Sequence, residues 1–227
     1  MKKLLLVLIL LLTVSITALA EGGLERTETR VVRQVEDYGT TIQCYVQVKN
    51  TLSTPASLDK ATLTLYDKAD QQIVTESTYM LFPSMLQPGE TGYIHFYLFD
   101  TSEEMASVAA YEIEILTETE PYYEVQHVTH TVAYEEVPIY EGAVQPQITF
   151  LITNDTQEVL KEVKFCYVLR AEDGAILSID YSELYNAGIP AGNAVYTYFH
   201  LDDEDYEAWT SKGYKAATVE SFVFIEK

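Results

Sequence analysis

The stretch Leu86-Gln87-Pro88-Gly89-Glu90-Thr91-Gly92-Tyr93-Ile94-His95-Phe96-Tyr97-Leu98-Phe99-Asp100 returns about 103 residues later. The second copy is Ile189-Pro190-Ala191-Gly192-Asn193-Ala194-Val195-Tyr196-Thr197-Tyr198-Phe199-His200-Leu201-Asp202-Asp203. Gly89 falls on Gly192, Tyr93 on Tyr196, Phe96 on Phe199, Leu98 on Leu201 and Asp100 on Asp203, with no gap. Each copy opens with proline and glycine, which set a turn. Each then runs on as aromatic and aliphatic residues, which favour a strand. In the first copy Ile94, Phe96 and Leu98 take one face, and Tyr93, His95 and Tyr97 take the other. Two such runs in register define two copies of one module.

The flanking sequence extends the pattern. In Thr41–Lys49, Ile42, Cys44, Val46 and Val48 alternate with Gln43, Tyr45, Gln47 and Lys49, a half-buried strand. Ala61–Asp67 repeats the alternation, Lys68–Gln71 is a turn, Gln72–Tyr79 returns from it and Tyr111–Leu116 closes the copy. Glu21–Arg30 is polar and reads as a loose lead-in, and Val31–Glu36 as an edge strand. Asp100–Ser107 reads as one helical turn capped by Asp100. Thr117–Tyr123 is the boundary between copies. The second copy follows with Glu124–Val137, Gln147–Thr153, Glu162–Leu169, an Asp173-Gly174 hairpin turn, Ala175–Tyr181, Val195–Leu201, a helical turn over Asp202–Trp209 and a last strand Val219–Ile225. Short strands punctuated by turns at this density predict an all-β chain of two tandem antiparallel β-sandwiches. The expected cores are Ile42, Val46, Leu63, Leu65, Ile94, Phe96, Leu98, Ile113 and Ile115 in the first copy, and Ile148, Phe150, Val163, Phe165, Phe199, Leu201, Phe222 and Phe224 in the second.

Residues 1–20 read as a secretory signal peptide. Lys2 and Lys3 precede the apolar run Leu4–Leu12, and Ala18-Leu19-Ala20 is a small-residue cleavage site. The domain plan is therefore a signal peptide over 1–20, one module over 21–120 and a second over 121–227. The expected location is secreted or extracytoplasmic, with no membrane insertion after cleavage. The chain has 14 basic and 35 acidic residues, a net charge of −21, which becomes −23 once Lys2 and Lys3 are removed. Such a surface repels phosphate backbones and argues against nucleic acid as a partner. Cys44 and Cys166 sit at non-equivalent places in the two copies and read as buried thiols. An oxidising compartment leaves an interdomain or intermolecular disulfide as the alternative.

Val48-Lys49-Asn50-Thr51, Leu63-Thr64-Leu65-Tyr66-Asp67 and Leu86-Gln87-Pro88-Gly89-Glu90-Thr91 together resemble the FxLYD-type module of exported bacterial proteins. Leu63 stands where that motif has phenylalanine, and the second copy, Phe165-Cys166-Tyr167-Val168-Leu169-Arg170-Ala171, lacks the Tyr-Asp pair. The resemblance implies an immunoglobulin-like sandwich and an exported setting. It implies no shared catalytic residues, since a fold does not supply a function.

No nucleophile elbow, phosphate-binding loop or zinc-protease motif is present, so the chain reads as a non-enzyme with no catalytic residues, no metal and no cofactor. His127 and His130 are three apart and would face opposite sides of a strand. His95 and His200 fall on outward phases and read as surface residues. The acidic run Asp202–Asp205 lacks the spacing of a calcium loop and reads as acids at a helix N-terminus. Among 18 tyrosines, Tyr45, Tyr66, Tyr93, Tyr97, Tyr196 and Tyr198 sit on outward strand phases. An exposed tyrosine face offers broad contact area at low entropic cost. A protein partner is the expected ligand, with a glycan-binding face or a structural spacer as alternatives; a lone tryptophan, Trp209, weakens the glycan case.

Overall fold

The computed structural model describes residues 22–121, 123–139, 144–185, 188–201 and 203–227, without the side chains of 203–205 and 208. The signal-peptide expectation lies outside the described residues. Among them, no helix is long and apolar enough to cross a membrane. The chain is all-β, and its contacts divide it between residues 122 and 123 into two compact units.

The first unit contains β1 (Leu24–Glu36), β2 (Gly39–Asn50), β3 (Ala56–Tyr66), β4 (Gln72–Thr78), β5 (Met85–Leu86), β6 (Thr91–Asp100), α1 (Glu103–Ala106) and β7 (Ala110–Glu118). One antiparallel sheet has the order β1-β2-β6; in the other, β3 is flanked by β4 and β5 on one side and β7 on the other. Between them lies a buried cluster including Ile42, Cys44, Val46, Leu63, Leu65, Ile94, Phe96 and Leu98, with Ile113 and Ile115 packed partly buried against it. Inward-facing alternation thus builds the sandwich as expected.

The second unit contains β8 (Val125–His127), β9 (His130–Pro138), β10 (Val144–Thr153), β11 (Val163–Ala171), β12 (Ile176–Leu184), β13 (Ala194–His200), α2 (Asp203–Thr210) and β14 (Ala216–Glu226). Its sheets run β13-β10-β9 and β12-β11-β14-β8. Phe150, Phe165, Tyr167 and Phe199 interlock in its core, with ring centroids 5.0–5.9 Å apart.

Three local expectations are corrected. Glu25–Arg30 is not a loose lead-in but part of β1, paired with β2 from Leu24↔Asn50 onward with a bulge between Arg26 and Glu28. Backbone pairing and the single buried anchor Leu24 hold this stretch, and neither shows as side-chain alternation. In β14 the core takes Val223 and Ile225, while Phe224 is buried on the opposite face and Phe222 is half-buried. The strand is apolar at consecutive positions, so period two does not select its phase. Asp100 does not cap α1; Ser102 is the N-cap, and Asp100 accepts the Ser102 backbone N–H at 2.6 Å in a tight turn.

A buried asparagine ties the Pro/Gly loop to the strand in each unit. Asn50 Nδ2 donates to the carbonyls of Thr54 and Leu86, both at 2.9 Å, and its Oδ1 accepts Leu52 N–H at 2.9 Å. Asn154 Nδ2 donates to the carbonyls of Glu158 and Ile189, both at 2.7 Å, and its Oδ1 accepts Thr156 N–H at 3.0 Å. Gly89 and Gly192, at φ 82° and 70°, donate their N–H groups to the Asn50 and Asn154 carbonyls. These left-handed positions suit glycine. The Leu-Tyr-Asp stretch has a local role as well. Leu65 enters the core, and Asp67 Oδ1 accepts the N–H groups of Ala69 and Gln71 at 2.7 and 2.9 Å, closing the β3–β4 turn.

Candidate functional site

Along β10, residues of one parity point into the core and the other parity points away. The outward residues of β9, β10 and β13 align in three rows. Thr131, Leu151 and Tyr196 form one, Ala133, Thr149 and Tyr198 the next, and Glu135, Gln147 and His200 the third. Tyr196 is 61% exposed, Tyr198 50% and Leu151 44%. The Tyr198 and His200 rings meet edge-on, 4.6 Å between centroids. The centre is low, because Ala133 is small and Thr149 is buried between its neighbours. The result is an aromatic column along β13 with Leu151 beside it. Strand spacing of about 4.8 Å and an alternate-residue repeat of about 6.8 Å make this face roughly 10 by 14 Å.

The equivalent face of the first unit is closed over its middle, with Tyr97 and Phe99 exposed at one end. Tyr45 and Tyr93, expected to be exposed, are 1% and 0% exposed. Outward phase did not mean contact with solvent, because the side chains around Tyr45 and Tyr93 pack and hydrogen-bond on one another, with Glu28 and Arg30 of β1 across from Gln47 and Tyr45. The Tyr45 hydroxyl donates to Gln43 Oε1, Gln47 Nε2 donates to the Tyr93 hydroxyl at 2.8 Å, and Tyr45 stacks on His95 at 4.9 Å. Gln34 and Gln43 are buried with them. Beside Tyr93, Phe82 bridges the free side of β6. His95 is accordingly not a surface residue. Its Nε2 is buried without a hydrogen-bond partner, and burial pulls its pKa down from 6.5 to about 4.

Tyr66 is half-buried, its hydroxyl donating to Glu112 Oε2 at 3.1 Å. Tyr97 is 60% exposed and lies with Phe99 and Tyr38 at the end of the β1-β2-β6 sheet, a smaller aromatic patch; the Tyr38 and Phe99 rings are 6.1 Å apart. Of the six tyrosines singled out, the structure brings together only Tyr196 and Tyr198 on an open face. Leu151 was missed. The run Phe150-Leu151-Ile152 breaks the alternation of β10, and the break is the signal that an apolar side chain faces outward.

The other candidates are accounted for by local structure. His130 is held at both ring nitrogens, Nδ1 to the Val128 carbonyl at 2.8 Å and Nε2 to Ser221 Oγ at 2.9 Å, while His127 is exposed at the end of β8. Among the described residues no three His, Cys, Asp or Glu side chains converge as metal ligands. The side chains of Asp202–Asp205 lie outside the described residues. Trp209 is buried against Tyr206, ring centroids 4.9 Å apart, and takes no part in the open face. Cys44 and Cys166 are free and buried. Burial pushes the Cys44 thiol up to about 12 and raises Cys166 as well. Glu136 accepts the hydroxyls of both Tyr134 and Tyr206, at 2.9 and 3.2 Å; burial, followed by this bond to Glu136, raises the Tyr134 pKa.

No protein-family profile matches the chain, and no curated protein matches it. Among solved structures it is similar to red sea bream transglutaminase: 88% of this chain aligns with 29% of that one, at 11% identity and a TM-score of 0.25. That likeness is too slight to carry an argument about fold or chemistry.

Proposed function

We propose that the chain is an exported, non-enzymatic binding module, built from two tandem immunoglobulin-like sandwiches of the FxLYD type, whose second unit takes a protein partner on the Leu151–Tyr196–Tyr198 face. The observation that carries this reading is the contrast between the two units. At equivalent strand positions the first unit closes Tyr93 in and leaves only Tyr97 and Phe99 open at the end of its sheet, whereas the second leaves Tyr196, Tyr198 and Leu151 open across the middle of the face. Exposed tyrosine is enriched at interface hot spots, and Leu151 adds apolar contact area beside it. The face is far smaller than the roughly 800 Å² that a stable interface buries on each partner. It therefore acts as the anchor of a wider contact. The export-type leader read in residues 1–20 supports a contact made outside the cytoplasm.

A photo-crosslinking residue at Tyr196, expressed in the native host, tests this. The expected result is one reproducible protein adduct, absent when the same residue replaces Thr64 on the polar outer face of β3. Failure to form an adduct from Tyr196, or equal adducts from both positions, removes the reading. Binding on a glycan array that is lost with Tyr198→Ala would transfer the face to sugars.

A further inference from the structure

The three strands of the open face contain no lysine or arginine. They are drawn from two stretches without a lysine or arginine, one between Lys68 and Lys161 and the other between Arg170 and Lys212. Two cations of the second unit are on the other sheet and already neutralised: Lys164 pairs with Glu226 at 2.7 Å and Arg170 with Glu220 at 2.6 Å. On the face itself the one full charge is Glu135, exposed at the corner of the third row and without a hydrogen bond or ion pair to any described residue. The field over this face is therefore negative, within a chain of net charge −21.

We infer that the partner surface is cationic: a protein segment carrying arginine or lysine beside aliphatic side chains, its cations over the Tyr196 and Tyr198 rings and against Glu135. Three observations converge on this chemistry. The aromatic column supplies two exposed tyrosine rings, which attract a cation through their quadrupole. Leu151 and the low Ala133–Thr149 centre receive the aliphatic stem that a long cationic side chain lays down. No like charge on the three strands opposes the approach, so encounter is steered as well as held. An acidic partner would meet Glu135 and the surrounding field with nothing to offset either. A neutral apolar partner would leave Glu135 to be desolvated unpaired.

This inference rests on the docking reading above, and the test separates the two. The probe is a synthetic peptide alternating arginine and leucine, added to the mature full-length chain labelled at tyrosine and leucine for NMR. A glutamate–leucine peptide of equal length is the control. The Tyr196, Tyr198 and Leu151 signals should move with the arginine peptide and stay still with the control. Raising salt from about 50 to about 300 mM should weaken binding about tenfold, since the attraction is screened. Glu135→Gln should weaken it about threefold, and Tyr196→Ala with Tyr198→Ala should abolish the shifts at Leu151. Signals that move equally with the glutamate peptide, or arginine-induced shifts confined to other surfaces, overturn the inference. If the Tyr196 crosslink forms while the arginine peptide leaves these three residues unmoved, the partner's charge is wrong and the docking face stands. If both fail, both fall.

Discussion

Replacing Asn154 by alanine should destabilise the second unit by about 3 kcal/mol. Asn154 is fully buried and makes four side-chain hydrogen bonds, two donated by Nδ2 to the Glu158 and Ile189 carbonyls and two accepted at Oδ1 from Thr156 N–H and Oγ1. Each such bond contributes about 1 kcal/mol net, more where the abandoned partner stays buried. Ile189 keeps the Leu160 N–H and Glu158 keeps the Thr156 hydroxyl, which holds the sum near 3 rather than higher. Trp209, the only tryptophan, is buried in the same unit, so its fluorescence follows that unit's unfolding. With a urea slope of about 1.5 kcal/mol per molar, the midpoint should fall by about 2 M. Asn154→Asp sharpens the test. At neutral pH its carboxylate would face two carbonyls with no proton to donate, so it should be less stable than the alanine variant. Protonation restores one donor, and the folded-state pKa is raised above the unfolded value. The deficit relative to the native chain should therefore shrink as pH falls through that folded-state pKa. A midpoint shift below about 0.5 M for Asn154→Ala, or an aspartate variant whose deficit is unchanged by pH, would refute the assignment of the loop anchor to this side chain.

Three further outcomes follow from groups already placed. His95, pulled down to about 4 from 6.5 by burial, is held neutral in the folded state while the unfolded chain binds a proton; stability should fall as pH drops from about 6.5 to about 4, by up to about 3 kcal/mol, and His95→Phe should flatten that dependence in urea titrations read by near-ultraviolet tyrosine dichroism. Cys44 and Cys166, both buried and with raised pKa values, should resist thiol reagents in the native chain and react as two equivalents after denaturation; rapid native labelling would contradict their placement. Tyr66→Phe removes only a solvent-accessible bond to Glu112 and should leave the urea midpoint unchanged in the same titration, whereas a clear drop would mean Tyr66 packs more tightly than its position indicates.

The inward pattern was legible because one physical rule governs it. Ile42, Val46, Leu63, Leu65, Ile94 and Phe96 alternate with polar residues, and the sandwich buries them. Turn chemistry was legible for the same reason at Gly89, Gly192 and Asp173-Gly174, where few residues suit the backbone. The outward faces were not. Tyr93 and Tyr196 occupy matching positions in the repeat, yet one is closed in and the other open. The difference lies in the cross-strand neighbour, Gln47 beside Tyr93 against Leu151 beside Tyr196, which only strand pairing brings together. Gln43, Gln47 and His95 give Tyr45 and Tyr93 hydrogen-bond and stacking partners, which lets that part of the face close. β14 failed for a related reason, since apolar residues at 222–225 leave both phases equally apolar.

The most direct test is the affinity of the crosslinked partner for the native chain and for the Tyr196→Ala/Tyr198→Ala double variant, each first shown to give the same Trp209 unfolding transition. Two exposed anchors at about 1.5–2 kcal/mol each predict a loss of at least about a hundredfold. Affinities within a factor of about two of one another would place the contact elsewhere and contradict the account.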